Sequence, residues 1–334
     1  MRNSPKSPQP TSYEFIPFPD KKHPPQKQEP IGHDRYDKNP ISGTLRLTLT
    51  VRTPVHVSTG VVAMGSDVGE NRIPLIKLMA TDAQDNPIIP GSSLKGVVRS
   101  VYETITNSTL GVVTKKYKIP KERQPCKNKK QLCPASRVFG ALNWQGVVQF
   151  RDARCIAARY TTGFMRSLYS PNHENKEYVD ANGMAKGRKF YYHTDRVASP
   201  GQKQGIPVQQ AGTKLTFTTE VQLTNLTEAE LGVLFIALGQ DPNYPMALKI
   251  GGGKSIGMGT MTVEVTELEK PDNMSDRYLS YDSDIEPIVA QPLKNFIENA
   301  IQKAHEELIY ESQLEKLHQL LKYRTDRQPP EVNY

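Results

Sequence analysis

Cysteine is scarce in this chain: three in 334 residues, an odd count and too few for a disulfide framework, which fits a reducing compartment. Long apolar runs are missing as well. No window approaches the roughly eighteen apolar residues that a membrane span requires, and the first residues carry no apolar signal core. A soluble cytoplasmic protein with no membrane partner is therefore expected. No internal repeat is evident, and neither a Ser/His/Asp order nor a paired-His metal motif stands out. His56, His173 and His193 are scattered, as structural histidines usually are.

What is abundant is positive charge. Lys and Arg number 43 against 35 Asp and Glu, for a net charge of +8. The sequence pI is near 9.2. Such a balance favours an acidic partner, of which nucleic acid is the commonest for a soluble chain. The length allows one large domain or two modest ones.

Residues 1–41, rich in Pro and Lys and poor in apolar clusters, read as a flexible arm that cannot offset the entropy of ordering. The pattern then changes. Leu45, Leu47, Leu49 and Val51 alternate with polar residues, the period-two signature of a half-buried strand. Residues 61–85 read as a long irregular loop. A helix follows, with Leu94, Val97, Val98, Val101 and Ile105 at core spacing and an end near Asn107.

Residues 115–130 form a basic loop read as exposed. Residues 161–212 lack a sustained period and read as an insertion projecting from the core. Thr227 and Glu230 form a capping box that opens an apolar helix closed by Gly239. Residues 271–334 contain a linker and one or two amphipathic helices. The order strand, helix, strand pair, helix, strand predicts an α+β fold with a ferredoxin-like or RRM-like core over residues 42–270.

The run from Pro90 to Arg99 places a turn at Gly91, hydroxyls at Ser92 and Ser93 suited to capping, and cations at Lys95 and Arg99 one helical turn apart. Free amides, helix dipole and cations together attract anions. A second corner is Gly251, Gly252, Gly253, Lys254, Ser255, Ile256, Gly257, Met258 and Gly259. It ends like a P-loop but has Leu248 where the first glycine belongs, and a strand rather than a helix follows. A flexible backbone approaching sugar-phosphate, with Lys254 and Ser255 on phosphate, competes with an ordinary glycine hairpin.

Arg188, Lys189 and Phe190, in a run of cations and aromatics, suit stacked bases and phosphates, or else a strand with a buried aromatic face. Cys126 and Cys133 lack convincing further ligands, so zinc is not expected. Asp67, between small residues in the first long loop, is the acid singled out, against the reading of a solvated loop residue.

Four landmarks in order make the chain resemble the RAMP superfamily, in particular the repeated backbone subunit of type III CRISPR effector complexes. They are the run Thr53, Pro54, Val55, His56, Val57 to Gly60; the run Ile89 to Arg99; the run Cys133, Pro134, Ala135, Ser136, Arg137, Val138, Phe139, Gly140; and the glycine loop. The resemblance implies an RRM-like palm with a thumb at residues 161–212. It implies a guide RNA (crRNA) gripped by Ser92, Ser93, Lys95, Arg99, Lys254 and Ser255, in an antiviral complex; His56, Arg188, Lys189 and Phe190 are further RNA-binding candidates.

It also implies cleavage of target RNA at a kinked nucleotide. Asp67 occupies the matching catalytic place, with a divalent ion, magnesium by preference, as cofactor. Two departures stand out: the first loop carries extra residues at Val61 to Met64, and Ser136 replaces a thiolate found in zinc-binding relatives. Implied partners are guide and target RNA, other RAMP subunits and the large signalling subunit. The alternatives are a non-catalytic guide-binding subunit and an endonuclease that processes precursor crRNA with a His base.

Overall fold

The computed structural model describes residues 12–20, 22–33, 40–112, 118–155, 159–166, 178–198, 205–271 and 286–330. The first strands are β1 (Tyr13–Pro17), β2 (Ile41–Val51), β3 (Ser58–Met64), β4 (Leu75–Met79) and β5 (Ile88–Ile89). Helix α1 (Gly91–Ile105) leads through α2 (Pro134–Phe139) to four short strands, β6 (Gly140–Ala141), β7 (Trp144–Gln145), β8 (Val148–Phe150) and β9 (Ala153–Arg154). Then come β10 (Thr161–Arg166), β11 (Gly187–Tyr191), β12 (Gly205–Gln210), β13 (Thr216–Leu226) and α3 (Glu228–Ala237). The chain closes with β14 (Leu248–Lys249), β15 (Thr260–Glu269), α4 (Ala290–Glu307) and α5 (Glu311–Leu321).

The main sheet has seven strands in the order β14-β15-β2-β13-β9-β5, with β8 also on β13. Within it, β15, β2, β13 and β8 are all antiparallel neighbours, and α1 and α3 are the crossovers of a split βαβ. The expected α+β, ferredoxin-like core is thus present. Strand β2 is central because its alternation is complete: Leu45, Leu47, Leu49 and Val51 are each at most 1% exposed.

Leu94, Val98, Val101 and Ile105 of α1 pack on that apolar face, while Val97 is only partly buried beside it. Helix α3 opens with the expected capping box between Thr227 and Glu230. Every residue from Ala229 to Ala237 is buried, which requires cover on both sides of the helix. The sheet covers one side. Helix α4 covers the other through Ala300 and Ala304, so the C-terminal helices are part of the core packing.

Four expectations change. Residues 61–85 are not an irregular loop: β3 and β4 form an antiparallel hairpin around a single turn of 3-10 helix, Gly65–Val68. That hairpin joins β12 and β10 in a second, four-stranded sheet, so the insertion at residues 161–212 is tied to the first loop. Its residues 167–177, with His173, and 199–204 lie outside the described part.

The N-terminal segment, expected to be a flexible arm, pairs β1 antiparallel with β11 and buries Tyr13 and Ile16. Tyr13 and Tyr178 bond through their hydroxyls. Arg123, from the basic stretch read as exposed, is 2% exposed, bonded to Asn107 Oδ1 at 2.6 Å and stacked 5.3 Å from the Phe18 ring. Among the described residues no helix is long and apolar enough to cross a membrane.

Candidate nucleic-acid interface

A cleft of about 480 Å³ opens where α1, β11 and the β14–β15 hairpin meet. Ser92, Ser93, Gly96 and Ser100 form one wall, Lys189, Phe190 and Tyr191 another, and Lys249, Gly251, Gly252 and Lys254 the third. None of the described residues lining it is acidic. The two glycine corners picked out in the sequence therefore converge.

The glycine loop is the hairpin connection itself, since Leu248 pairs with Met261 and Lys249 with Thr260. Gly251 has φ +80°, and a Cβ there would sit 2.4 Å from the His56 carbonyl oxygen. No other residue allows that approach, which the Gly252 N–H completes by donating to the same oxygen at 2.8 Å. The loop is thereby clamped onto the segment entering β3.

The detailed wiring differs from the sequence reading. Ser92 and Ser93 do not cap α1; Pro90 is the cap residue, and Asp152 Oδ1 accepts from the Gly91 N–H at 2.8 Å. A carboxylate therefore already answers the start of this helix, and Ser92 and Ser93 line the cleft instead. Lys95 is not in the cleft: its Nζ donates to the Val148 carbonyl at 3.1 Å.

Arg99 and Arg188 are likewise diverted, both onto Glu103, which is 4% exposed. His56 is 1% exposed and bonds the Gln209 carbonyl through Nδ1 at 2.7 Å, so it supports the loop rather than meeting a ligand. Burial holds its pKa below the ordinary 6.5. Phe190 is a 9% exposed wall, and Ser255 is half-buried outside the lining.

Three lysines remain. Lys189 Nζ lies 3.7 Å from the centre of the Tyr13 ring and 4.7 Å from that of Tyr191, a cation held over aromatic faces. Burial lowers the pKa of Lys189 and of Lys254. Lys249, which the sequence reading passed over, is 5% exposed; burial and then the charge of Lys254 push it down to about 7. Its only sequence signal was a lysine inside the apolar run Met246 to Ile250.

Asp67 is exposed at the tip of the β3–β4 hairpin, outside this cleft, with Ser66 Oγ 3.4 Å from its Oδ1. Val61, Val62, Met64 and Leu75 on the same hairpin are exposed too. Among the described residues no three His, Cys, Asp or Glu side chains gather as a metal site. One carboxylate does not make a metal cage, although magnesium is commonly held by one or two carboxylates with phosphate oxygens and water.

Cys126 and Cys133 are buried together, each within 3.5 Å of Thr109 Oγ1, and Cys133 Sγ is 3.2 Å from Ser136 Oγ. The outer sheet face offers a second groove of about 760 Å³, but Arg46 there is paired with Glu220, Glu267 and Glu269. That groove also holds the acids Asp152 and Glu220 beside Arg151 and Arg154, whereas the described lining of the first cleft has cations and no acid.

Fold and site define an α+β protein with a split βαβ core and a lysine-lined cleft at a glycine hairpin. A family model described as the RAMP superfamily matches residues 48–262, more than half of the chain, and the chain belongs to that superfamily. Among solved structures, a chain from the "Cryo-EM structure of the Type III-B Cmr-beta bound to cognate target RNA" is similar, with 16% identity and a TM-score of 0.36. The match covers 69% of this chain and spans 61% of that one. No curated protein sequence matches.

Proposed function

We propose that this chain is an RNA-binding subunit of a type III CRISPR effector complex, with guide RNA running through the lysine cleft and target RNA cut beside Asp67. The observation that carries the binding part is the convergence of Ser92, Ser93, Lys189, Lys249 and Lys254 on one cleft with no acid in its described lining. Cations and hydroxyls of this kind meet phosphate and sugar, so the grip is indifferent to guide sequence. The type III assignment and the partners, other RAMP subunits and the large signalling subunit, rest on the four ordered sequence landmarks within a RAMP chain.

In the cleavage step, the ribose 2′-hydroxyl attacks the adjacent phosphorus and its proton passes to the Asp67 carboxylate. The bond to the 5′-oxygen breaks, and that oxygen takes a proton from water, leaving a 2′,3′-cyclic phosphate and a 5′-hydroxyl. A divalent ion, when bound, supplies charge neutralisation at the phosphate. Asp67 is suited to its role by exposure on a hairpin tip, where a kinked strand has access.

A binding-only subunit is the second reading, favoured by the lack, among the described residues, of a group of three His, Cys, Asp or Glu side chains at Asp67 that could hold the metal. Precursor processing needs an accessible His at the RNA site, whereas His56 and His193 are buried and the exposed His23 and His33 lie outside the cleft lining. The test is Asp67→Asn in the complex assembled on guide RNA, with target RNA resolved on a denaturing gel. Loss of cleavage with RNA retained is expected; undiminished cleavage removes the catalytic role, and a chain that purifies without RNA removes the binding role.

A further inference from the structure

Lys249 differs from its two neighbours in the cleft. It is 5% exposed, and its Nζ donates to the Gly257 carbonyl and to Thr260 Oγ1, each at 3.2 Å. An ammonium has three donors, and among the described residues the third has no acceptor and no carboxylate pairs with the group. A buried cation held only by neutral oxygens carries a desolvation cost that a counter-ion would offset. The open side of this one is the cleft, whose other charged groups are Lys189 and Lys254.

We propose that a backbone phosphate of bound RNA is the counter-ion Lys249 lacks, and that the residue takes up a proton as RNA enters. This rests on the RNA-binding reading above and specifies its pH dependence. Of the titratable groups facing Lys249, Lys189 and Lys254 are lowered by burial too, so the Lys249 variants assign the proton. His193 shares Thr260 Oγ1 at 3.0 Å and bonds the Ala247 carbonyl at 3.0 Å; burial and then Lys249 push it down to about 3, so it stays neutral.

His56, beneath the glycine loop, is held neutral in the same sense by burial. Lys254 repels the charged form of Lys249, which together with burial places that group at about 7 in the free chain. Tyr191 is pushed up by burial, away from the neutral range. Above pH 7 the free chain has shed the proton that the bound form holds, so affinity falls as pH rises.

The test is calorimetric titration of the full chain with single-stranded oligouridylate at pH 7.5, in two buffers of different ionisation heat. Net proton uptake on binding is expected, with affinity falling up to about tenfold per pH unit above 7.5. Lys249→Arg, which stays charged, binds without uptake and without the fall; Lys249→Met binds more weakly at pH 6.5 and takes up none. RNA binding with no proton uptake by the unaltered chain, or with the same uptake in both variants, overturns this inference and leaves the RNA-binding reading intact. Absence of RNA binding at every pH overturns both.

Discussion

Arg188 and Glu103 meet at 2.5 Å although 85 positions separate them in sequence. Glu103 Oε1 also accepts from Arg99 Nε at 2.7 Å and from the Gly111 N–H at 2.9 Å, and Arg188 donates further to the Thr109 carbonyl at 3.1 Å. One buried carboxylate therefore joins β11, which presents Lys189, to α1, which presents Ser92 and Ser93.

Replacing Glu103 by Gln keeps the shape and removes the charge, leaving two guanidinium groups with little exposure and no counter-ion. The expected loss is about 3–5 kcal/mol of stability, read as an earlier midpoint in urea. Arg46→Ala on the outer sheet face is the contrasting case. Its pairs are 44% exposed on the arginine side, so its removal is expected to cost under about 1 kcal/mol.

Helix α3 and helix α4 touch at Gly232. A Cβ there would lie 1.8 Å from the Ala300 carbonyl oxygen and 2.9 Å from Ala304 Cβ. In an exposed helix Gly→Ala gains up to ~1 kcal/mol. Here the added methyl meets backbone, so Gly232→Ala is expected to destabilise by about 1–3 kcal/mol as the helices part. Thermal unfolding followed by circular dichroism checks the sign, and a raised midpoint would show that the pair separates without strain.

The parts of the fold legible in sequence were those whose burial is periodic. Strand β2 has one complete apolar face, α1 carries its core residues at helical spacing, and α3 announces itself by Thr227 and Glu230. The β3–β4 hairpin was not legible because Val61, Val62, Met64 and Leu75 stay exposed, so no alternation marks an inner face. Pairing of β1 with β11 joins residues 13–17 to 187–191, and neither segment alone shows it.

At the site, Ser92, Ser93, Lys189, Phe190 and Lys254 lie in the cleft as their motifs suggested. Lys95, Arg99 and Arg188 do not serve it, because the acceptors that capture them, the Val148 carbonyl and Glu103, are set by tertiary contact. Asp67 sits where the hairpin turns, apart from the cleft.

The docking of the C-terminal helices should depend on pH through His305. Its Nδ1 lies 2.6 Å from Glu311 Oε1 and its Nε2 lies 2.8 Å from the buried Asp241 Oδ2. Burial pulls its pKa down, but hydrogen bonds to Glu311 and Asp241 outweigh that, and the net direction is upward. A raised folded-state pKa gives stability that is fully present below the ordinary 6.5 and is lost as pH rises through the folded value. The difference in unfolding midpoint between wild type and His305→Gln is therefore expected to be large at pH 6 and to shrink by pH 8.5. A difference that grows with pH would contradict the assigned charge state.

Salt dependence separates the cations that meet RNA from those that serve the fold. Each phosphate neutralised contributes about 0.7 to the slope of log affinity against log salt for a single strand. Lys189→Ala and Lys254→Ala, which remove ammonium groups lining the cleft, are each expected to reduce that slope by roughly this amount, and by the same factor for oligouridylate and for a mixed sequence. Lys95→Gln is expected to leave the slope unchanged, since its Nζ is held by the Val148 carbonyl outside the cleft. These slopes need only filter binding at a series of salt concentrations. Should Lys95→Gln lower the slope while Lys189→Ala and Lys254→Ala leave it intact, the strand would run along the opposite face of α1, and the lysine cleft would not be the RNA site.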